Sequence, residues 1–300
     1  MPAGRARTSP VALRLHPLVD RAGRFSPLKA TVFVLLFVPG LWTAFDLATG
    51  NLGPRPFDAA THETGTWTIR LIFLSLLVTP VQQLGQWPKL ISLRRMVGVA
   101  ACVYGLAHLA LFVVHERYDF VKVASEIVLR IYLTIGFVAL LGLGVLAVTS
   151  TDAMIRRLGS KGWKRLHQAV YVIAILATVH FFMQSKLNVY EPLIMAGLYL
   201  WLMLYRIVVA WKPGARQAPL LTAGALALVA TVTTMLGEAL YFRLARGVDP
   251  LRVLSANLSP DIGMRPGWVV LFICMAVLTA IALRQAMLRG SGLNPVRSLN

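Results

Sequence analysis

Runs of about 20 mostly apolar residues, the length a helix needs to cross the hydrocarbon of a bilayer, recur along the chain. They fall near 30–48, 66–84, 95–115, 129–150, 165–185, 190–211, 218–242 and 267–284. Inside hydrocarbon no water is available to the backbone, so such runs are satisfied only as helices. The pattern predicts an all-α fold, a polytopic transmembrane helix bundle of about eight spans. A polar stretch containing Pro250, Pro260 and Pro266 separates the seventh span from the eighth. The first run begins near Ala30 behind a long basic leader and is of full bilayer length, so it is expected to be a retained span and not a cleaved signal.

Composition supports the same solvent. With 57% hydrophobic residues, a mean hydropathy of +0.68 and 14% charged residues, the chain carries more apolar surface than one soluble core could hide. A formal charge of +18 raises the question of nucleic acid, but the basic residues sit in short clusters between apolar runs and form no basic face. Their placement fits membrane topology. One set of connections holds 19 Lys and Arg, from the leader, Lys89, Arg94 and Arg95, the cluster Arg156 to Arg165, Lys212 and Arg216, and the segment after Arg284; the opposite set holds 8. That asymmetry predicts cytoplasmic termini, a multi-pass protein of the bacterial inner membrane, and third and fifth spans that run outward together. Cys102 and Cys274 lie within apolar runs, where they serve as small hydrophobes, and no disulfide framework or thiolate metal site is indicated. Gly142, Gly144 and Ala147 match a dinucleotide fingerprint inside an apolar helix with no preceding strand, and close helix packing accounts for them.

An ionisable side chain within a span is costly and marks a functional position. Three of the six histidines qualify: His108 in the third span, with His167 and His180 in the fifth. Two neutral imidazoles from facing helices are what an axially bis-ligated b-type haem requires. Counted at 1.5 Å per residue from the cytoplasmic helix starts, His108 lies about 21 Å deep, His180 about 25 Å, His115 about 31 Å and His167 about 6 Å. His108 and His180 are therefore expected to share a level and an iron. His167 precedes His180 by 13 residues, roughly 140° around an ideal helix, so either a π-bulge turns the helix or His167 faces something else. Arg70, about 22 Å deep by the same count, is a candidate partner for a haem propionate, with snorkelling to the outer surface as the alternative; Arg130, at the outer start of the fourth span, is a second propionate candidate. His115, beside Glu116, and Glu238, near the outer end of the seventh span, are expected to be solvated. His16 and His62 fall outside the hydrocarbon and are expected to be ordinary, with contact to a partner as the alternative for His62.

Several motifs together carry a resemblance: Arg94-Arg95-Met96-Val97-Gly98 running to His108, Thr149-Ser150-Thr151-Asp152-Ala153-Met154, Trp163-Lys164-Arg165-Leu166-His167, and Val170-Tyr171 followed by His180. Over roughly residues 28–211 the sequence resembles the MsrQ family, also called YedZ, of the ferric-reductase-like transmembrane group. The resemblance implies haem b, with His108, His167 and His180 as axial ligands, and a flavin mononucleotide (FMN) for which no motif is readable. It implies an electron-transfer subunit fed by the quinone pool or a flavin reductase. The implied acceptor is MsrP, a periplasmic molybdenum-containing reductase that repairs methionine sulfoxide. Three regions follow: a basic leader at 1–29, a haem-binding transmembrane domain at 30–211, and an extension at 212–300 with two further spans, beyond the pattern of about six helices typical of the family. The alternatives are a ferric-reductase-like protein that reduces metal ions directly, and a transporter or scaffold whose histidines only pack.

Overall fold

The structure, a computed structural model, describes residues 18–19, 24–185, 188–211, 219–259, 261 and 263–290. Most of the leader, with His16, lies outside these, as do Lys186, Lys212, Arg216, Pro260 and Arg297. Among the described residues the chain is helical, with an isolated bridge between Val19 and Phe25 and no strand.

The helices are α1 (Pro27–Thr49), α2 (Pro56–Leu84), α3 (Ile91–His115), α4 (Phe120–Leu129), α5 (Ile131–Val148), α6 (Asp152–His167), α7 (Ala169–Gln184), α8 (Tyr190–Trp211), α9 (Pro219–Arg246), α10 (Pro250–Leu258) and α11 (Pro266–Gly290). Eight segments are long and apolar enough to cross a membrane, α6 and α7 counting as one. We call the face where α1 begins the near face and the opposite one the far face. Local chemistry sets several ends. Ser26 caps α1 by accepting from the Lys29 amide, Pro27 occupies the first turn, where a missing N–H is harmless, and Gly50 closes the helix at φ 76°.

Two of the spans carry a proline beyond the first turn, and in each case another helix meets the disturbed backbone. In α1, Pro39 interrupts the ladder, and the Tyr104 hydroxyl of α3 enters beside it, donating to the Leu36 carbonyl (2.8 Å) and accepting from the Gly40 amide (2.7 Å). In α2, Pro80 cannot donate to the carbonyl of Leu76 four residues earlier. Arg206 of α8 donates to that carbonyl at 2.5 Å and to its own Leu202 carbonyl at 2.8 Å.

The core is one cluster that runs from the N-terminal helices into the extension. It includes Ile72 and Leu76 of α2, Ala101 of α3, Ala174 of α7, Trp201 of α8, Ala227 of α9 and Cys274 of α11. Small residues bring the last helices close: Ala223, Ala227 and Ala230 are fully buried, Gly197 lies against Thr234 and Val270, and Trp201 donates to the Ala223 carbonyl at 3.0 Å. Gly142 meets the Ile173 side chain of α7, the close helix approach expected of it. Large apolar side chains such as Leu35, Trp42, Val145 and Leu228 point outward, as they do in a protein whose solvent is lipid.

Three departures from the sequence expectation have physical causes. Helix α2 starts at Pro56, ten residues before its apolar window, because the turns from Asp58 to Gly65 are helical but polar. The helices α4 and α10, of 10 and 9 residues, are too short to register as spans. Each lies at the far face with an amphipathic pattern, α4 exposing Val121, Val128 and Leu129 while burying Val123. Finally, the fifth span is divided at Gln168, whose amide reaches the Lys164 and Arg165 carbonyls, so a turn and not a π-bulge separates His167 from His180.

Candidate functional site

The second to fifth spans (α2, α3, α5 and the α6–α7 segment) enclose a cavity lined from α2, α3, α5 and α7, with Ile127 of α4 at its edge. Its walls are largely apolar, and it holds about 1030 Å³ of space unfilled by protein atoms, the mouth included. His108 of α3 and His180 of α7 face each other across it with ring centroids 6.2 Å apart.

Each ring is held in the same way by a different helix. The His108 Nδ1 lies 2.7 Å from the Thr61 carbonyl of α2, and the His180 Nδ1 lies 2.7 Å from the Tyr132 carbonyl of α5. A carbonyl only accepts, so both Nδ1 atoms carry the proton and both Nε2 atoms keep the lone pair. Four residues after each carbonyl stands a glycine, Gly65 after Thr61 and Gly136 after Tyr132. A Cβ at Gly65 would lie 2.8 Å from His108 Nδ1, and one at Gly136 would lie 2.7 Å from His180 Nδ1. The absence of a side chain at these two positions is what lets the rings reach the carbonyls.

This arrangement suits an iron with two axial imidazoles. With metal–nitrogen bonds of about 2 Å and each ring nitrogen about 1 Å from its ring centre, two such ligands hold their centroids about 6 Å apart. A carbonyl on the second ring nitrogen is the usual means of fixing the tautomer and orientation of a ligating histidine. The donor set, the apolar walls and the glycine cradles therefore fit a haem.

His167 is not brought to this pair. It ends α6 near the near face, stacked on Trp163 with centroids 3.8 Å apart. Its Nδ1 lies 3.1 Å from the Trp163 carbonyl and its Nε2 lies 3.2 Å from the Ser150 hydroxyl. Trp163 in turn donates to the Thr149 carbonyl at 2.9 Å, so the Thr149-Ser150 and Trp163–His167 motifs meet in one contact.

The two arginines expected at the propionates are placed elsewhere. Arg70 reaches from α2 to Glu191 at the start of α8 (2.8 Å) and sits 4.9 Å over the Trp67 ring. Arg70 lies farther along α2 from its start at Pro56 than the turns that meet His108. His108 meets α2 at Thr61 and Gly65, one to two turns before Arg70. Arg130 pairs with Glu126 and the Tyr132 hydroxyl, and those contacts raise the pKa of its guanidinium, the tyrosine contact most. Neither arginine lines the cavity. Glu238, expected in solvent, is buried and held by Arg265 (2.7 Å) and Asn257 (2.9 Å). At the far-face turn after exposed His115, Glu116 holds Lys122 at 2.6 Å, and that hydrogen bond raises the ammonium pKa.

Residue types alone did not mark Thr61, Gly65, Tyr132 or Gly136, since a backbone carbonyl and a missing Cβ leave little trace in one sequence. The usable signal was the spacing of four from carbonyl to glycine, visible only once His108 and His180 are known to lean on those helices.

This membrane-spanning bundle with two facing imidazoles matches, over residues 64–178, the profile of the ferric reductase like transmembrane component family. Among curated proteins, the chain is 37% identical over 187 residues to a protein-methionine-sulfoxide reductase heme-binding subunit MsrQ of Azospira oryzae, covering 62% of this chain and 80% of that protein. It is 38% identical over 192 residues to that of Rhodospirillum rubrum, covering 64% and 90%, and 34% identical over 200 residues to that of Bordetella pertussis, covering 65% and 95%. No solved structure matches. The chain belongs to the MsrQ family, and it is a multi-pass membrane protein.

Proposed function

We propose that this chain binds a b-type haem through His108 and His180 and carries electrons across the bacterial inner membrane to a periplasmic methionine sulfoxide reductase. The near face is then cytoplasmic and the far face periplasmic, in keeping with the excess of Lys and Arg at near-face connections. The observation that carries the reading is the pair of imidazoles 6.2 Å apart, each with its Nδ1 proton committed to a carbonyl. The names of the relatives, which print heme binding and a reductase, support the reading, and the facing imidazoles are the reason for choosing His108 and His180.

When bound, the haem supplies a one-electron couple. The chain's own groups do the rest. His108 and His180 would hold the iron through two neutral ring nitrogens, one from α3 and one from α7. The Thr61 and Tyr132 carbonyls hold the Nδ1 protons and strengthen the imidazoles as donors, while the apolar walls exclude water. The cavity extends to Thr61, His62 and Gln184 near the far-face helix ends, the side on which a periplasmic acceptor would dock.

His167 enters as a ligand through the family resemblance. At 13 residues from His180, about 20 Å along a helix, it belongs to a second site at the near face, opposite which no other described histidine stands. A quinone or a flavin reductase as donor, MsrP as acceptor and FMN as a second cofactor likewise follow from the family, with no residues assigned here. Direct reduction of ferric ions is the competing outcome.

Purified protein tests the central claim. A Soret band that shifts on dithionite reduction is expected, with His180→Ala losing the haem bound between α3 and α7; full haem content in that variant overturns the ligand assignment. Electron delivery to MsrP, and not to ferric chelates, separates the two outcomes.

A further inference from the structure

A haem brings two carboxylates as well as an iron, and two carboxylates are expensive in hydrocarbon. They must leave the cavity at its wet end and meet polar groups there. The arginines that a sequence offers for this duty are engaged, Arg70 with Glu191 and Arg130 with Glu126.

Among the cavity-lining side chains, most polar groups are also spent. The hydroxyls of Thr61 and Thr68 donate back to the Phe57 and Thr64 carbonyls at 2.7 and 2.8 Å. The imidazoles of His108 and His180 are committed to carbonyls and iron. That leaves His62 and Gln184, with Thr66 as a neutral hydroxyl one turn deeper than His62. His62 stands on α2 next to Thr61, is 57% exposed, and has only a loose neighbour in Asp58 at 3.8 Å. Gln184 ends α7 one turn beyond His180, half-buried, and its amide bonds to no other described residue. The two therefore stand on the adjoining helices α2 and α7 at the far-face end of the cavity, one beside the Thr61 that holds His108 and one beyond His180.

We propose that His62 and Gln184 bind the haem propionates at the far-face mouth and so fix which edge of the haem faces the periplasm. His62 supplies a ring N–H, charged when protonated, and Gln184 an amide N–H; both donate to carboxylate oxygen. The inference rests on the haem reading above and adds the orientation and the anchors. The propionate edge, the part of a haem closest to water, then lies at the mouth where an external acceptor docks.

The test uses the haem-loaded protein in detergent and the double variant His62→Ala/Gln184→Ala. Both positions are at the rim, so truncation opens no core cavity. The expected result is an unchanged low-spin Soret spectrum, haem loss to excess apomyoglobin about a hundredfold faster, tenfold for each of the two charge-assisted hydrogen bonds removed, and a shift of the propionate bending modes in resonance Raman spectra. Each single variant should give part of both effects. Unchanged loss rate and unchanged propionate modes, with the bis-imidazole spectrum intact, would overturn the anchors while leaving the ligands standing. A parent protein without haem would instead overturn the reading beneath them.

Discussion

Gly136→Ala adds one methyl group to α5, and two opposing effects set its outcome. In a helix interior the change from glycine to alanine is stabilising by about 0.5–1 kcal/mol, so the fold should be unharmed. At the site, the new Cβ would lie 2.7 Å from His180 Nδ1, 2.8 Å from Cε1 and 3.0 Å from Cγ. Ordinary carbon contacts are about 3.5–4.0 Å, so the ring must retreat by roughly 1 Å. A ligand ring has no such freedom, because metal–nitrogen distances hold to about 0.2 Å. The bond to the Tyr132 carbonyl is lost, at about 1–3 kcal/mol, or the iron bond lengthens. Either way haem affinity falls about ten- to hundredfold, the usual penalty for disturbing an outer-sphere partner. The midpoint potential of what remains should rise, since an imidazole without its carbonyl is the weaker donor.

The assay pairs a pyridine haemochrome ratio and a potentiometric titration with thermal unfolding of the same sample. Gly144→Ala is the control: it sits on the same helix, and nothing lies within 4 Å of the added Cβ. Normal haem content and an unmoved potential in Gly136→Ala would refute the cradle argument, whereas loss in both variants would point to a general response of α5.

Two further outcomes bear on the scaffold. Arg206→Leu should destabilise by about 1–3 kcal/mol by orphaning the buried Leu76 carbonyl, and Pro80→Ala in the same chain should restore part of it by returning a backbone donor; equal unfolding midpoints for the single and double variants would contradict that account. Glu238→Ala should destabilise by about 3–5 kcal/mol because it strands the largely buried Arg265 cation, whereas an exposed Glu238 would give a loss within 0.5 kcal/mol in the same unfolding measurement.

The spans were legible because lipid demands long apolar runs, and the meeting of His108 with His180 followed from counting residues along two helices that run the same way. The same counting misplaced Arg70, since depth along a helix equals depth in the bilayer only when helices start level and stand equally upright. Polar turns that extend a span also escape a hydropathy window, which is why Thr61, His62 and Gly65 stayed outside the expected site. The prolines at 39 and 80 were plain in the sequence, but nothing near them named Tyr104 or Arg206, which lie 64 residues beyond Gly40 and 130 beyond Leu76, the residues they bond.

The extension beyond residue 211 meets the haem-site helices at α2. That helix bears the Thr61 carbonyl and Gly65, so its position governs how His108 is presented. It is tied at three levels by helices later in the chain. Near the middle, Arg70 pairs with Glu191 of α8; lower, Arg206 of α8 holds the carbonyl opposite Pro80. At the near-face end, Arg284 and Gln285 of α11 donate to the Gly85 and Leu84 carbonyls at 2.9 and 2.7 Å. These are the unpaired acceptors of a helix C-terminus, and a cation there also opposes the negative end of the helix dipole. Arg284 further covers the Trp87 ring at 4.3 Å. Among the described residues the last helix thus closes the near-face end of the one whose Thr61 carbonyl meets His108, while no residue of the extension lines the cavity.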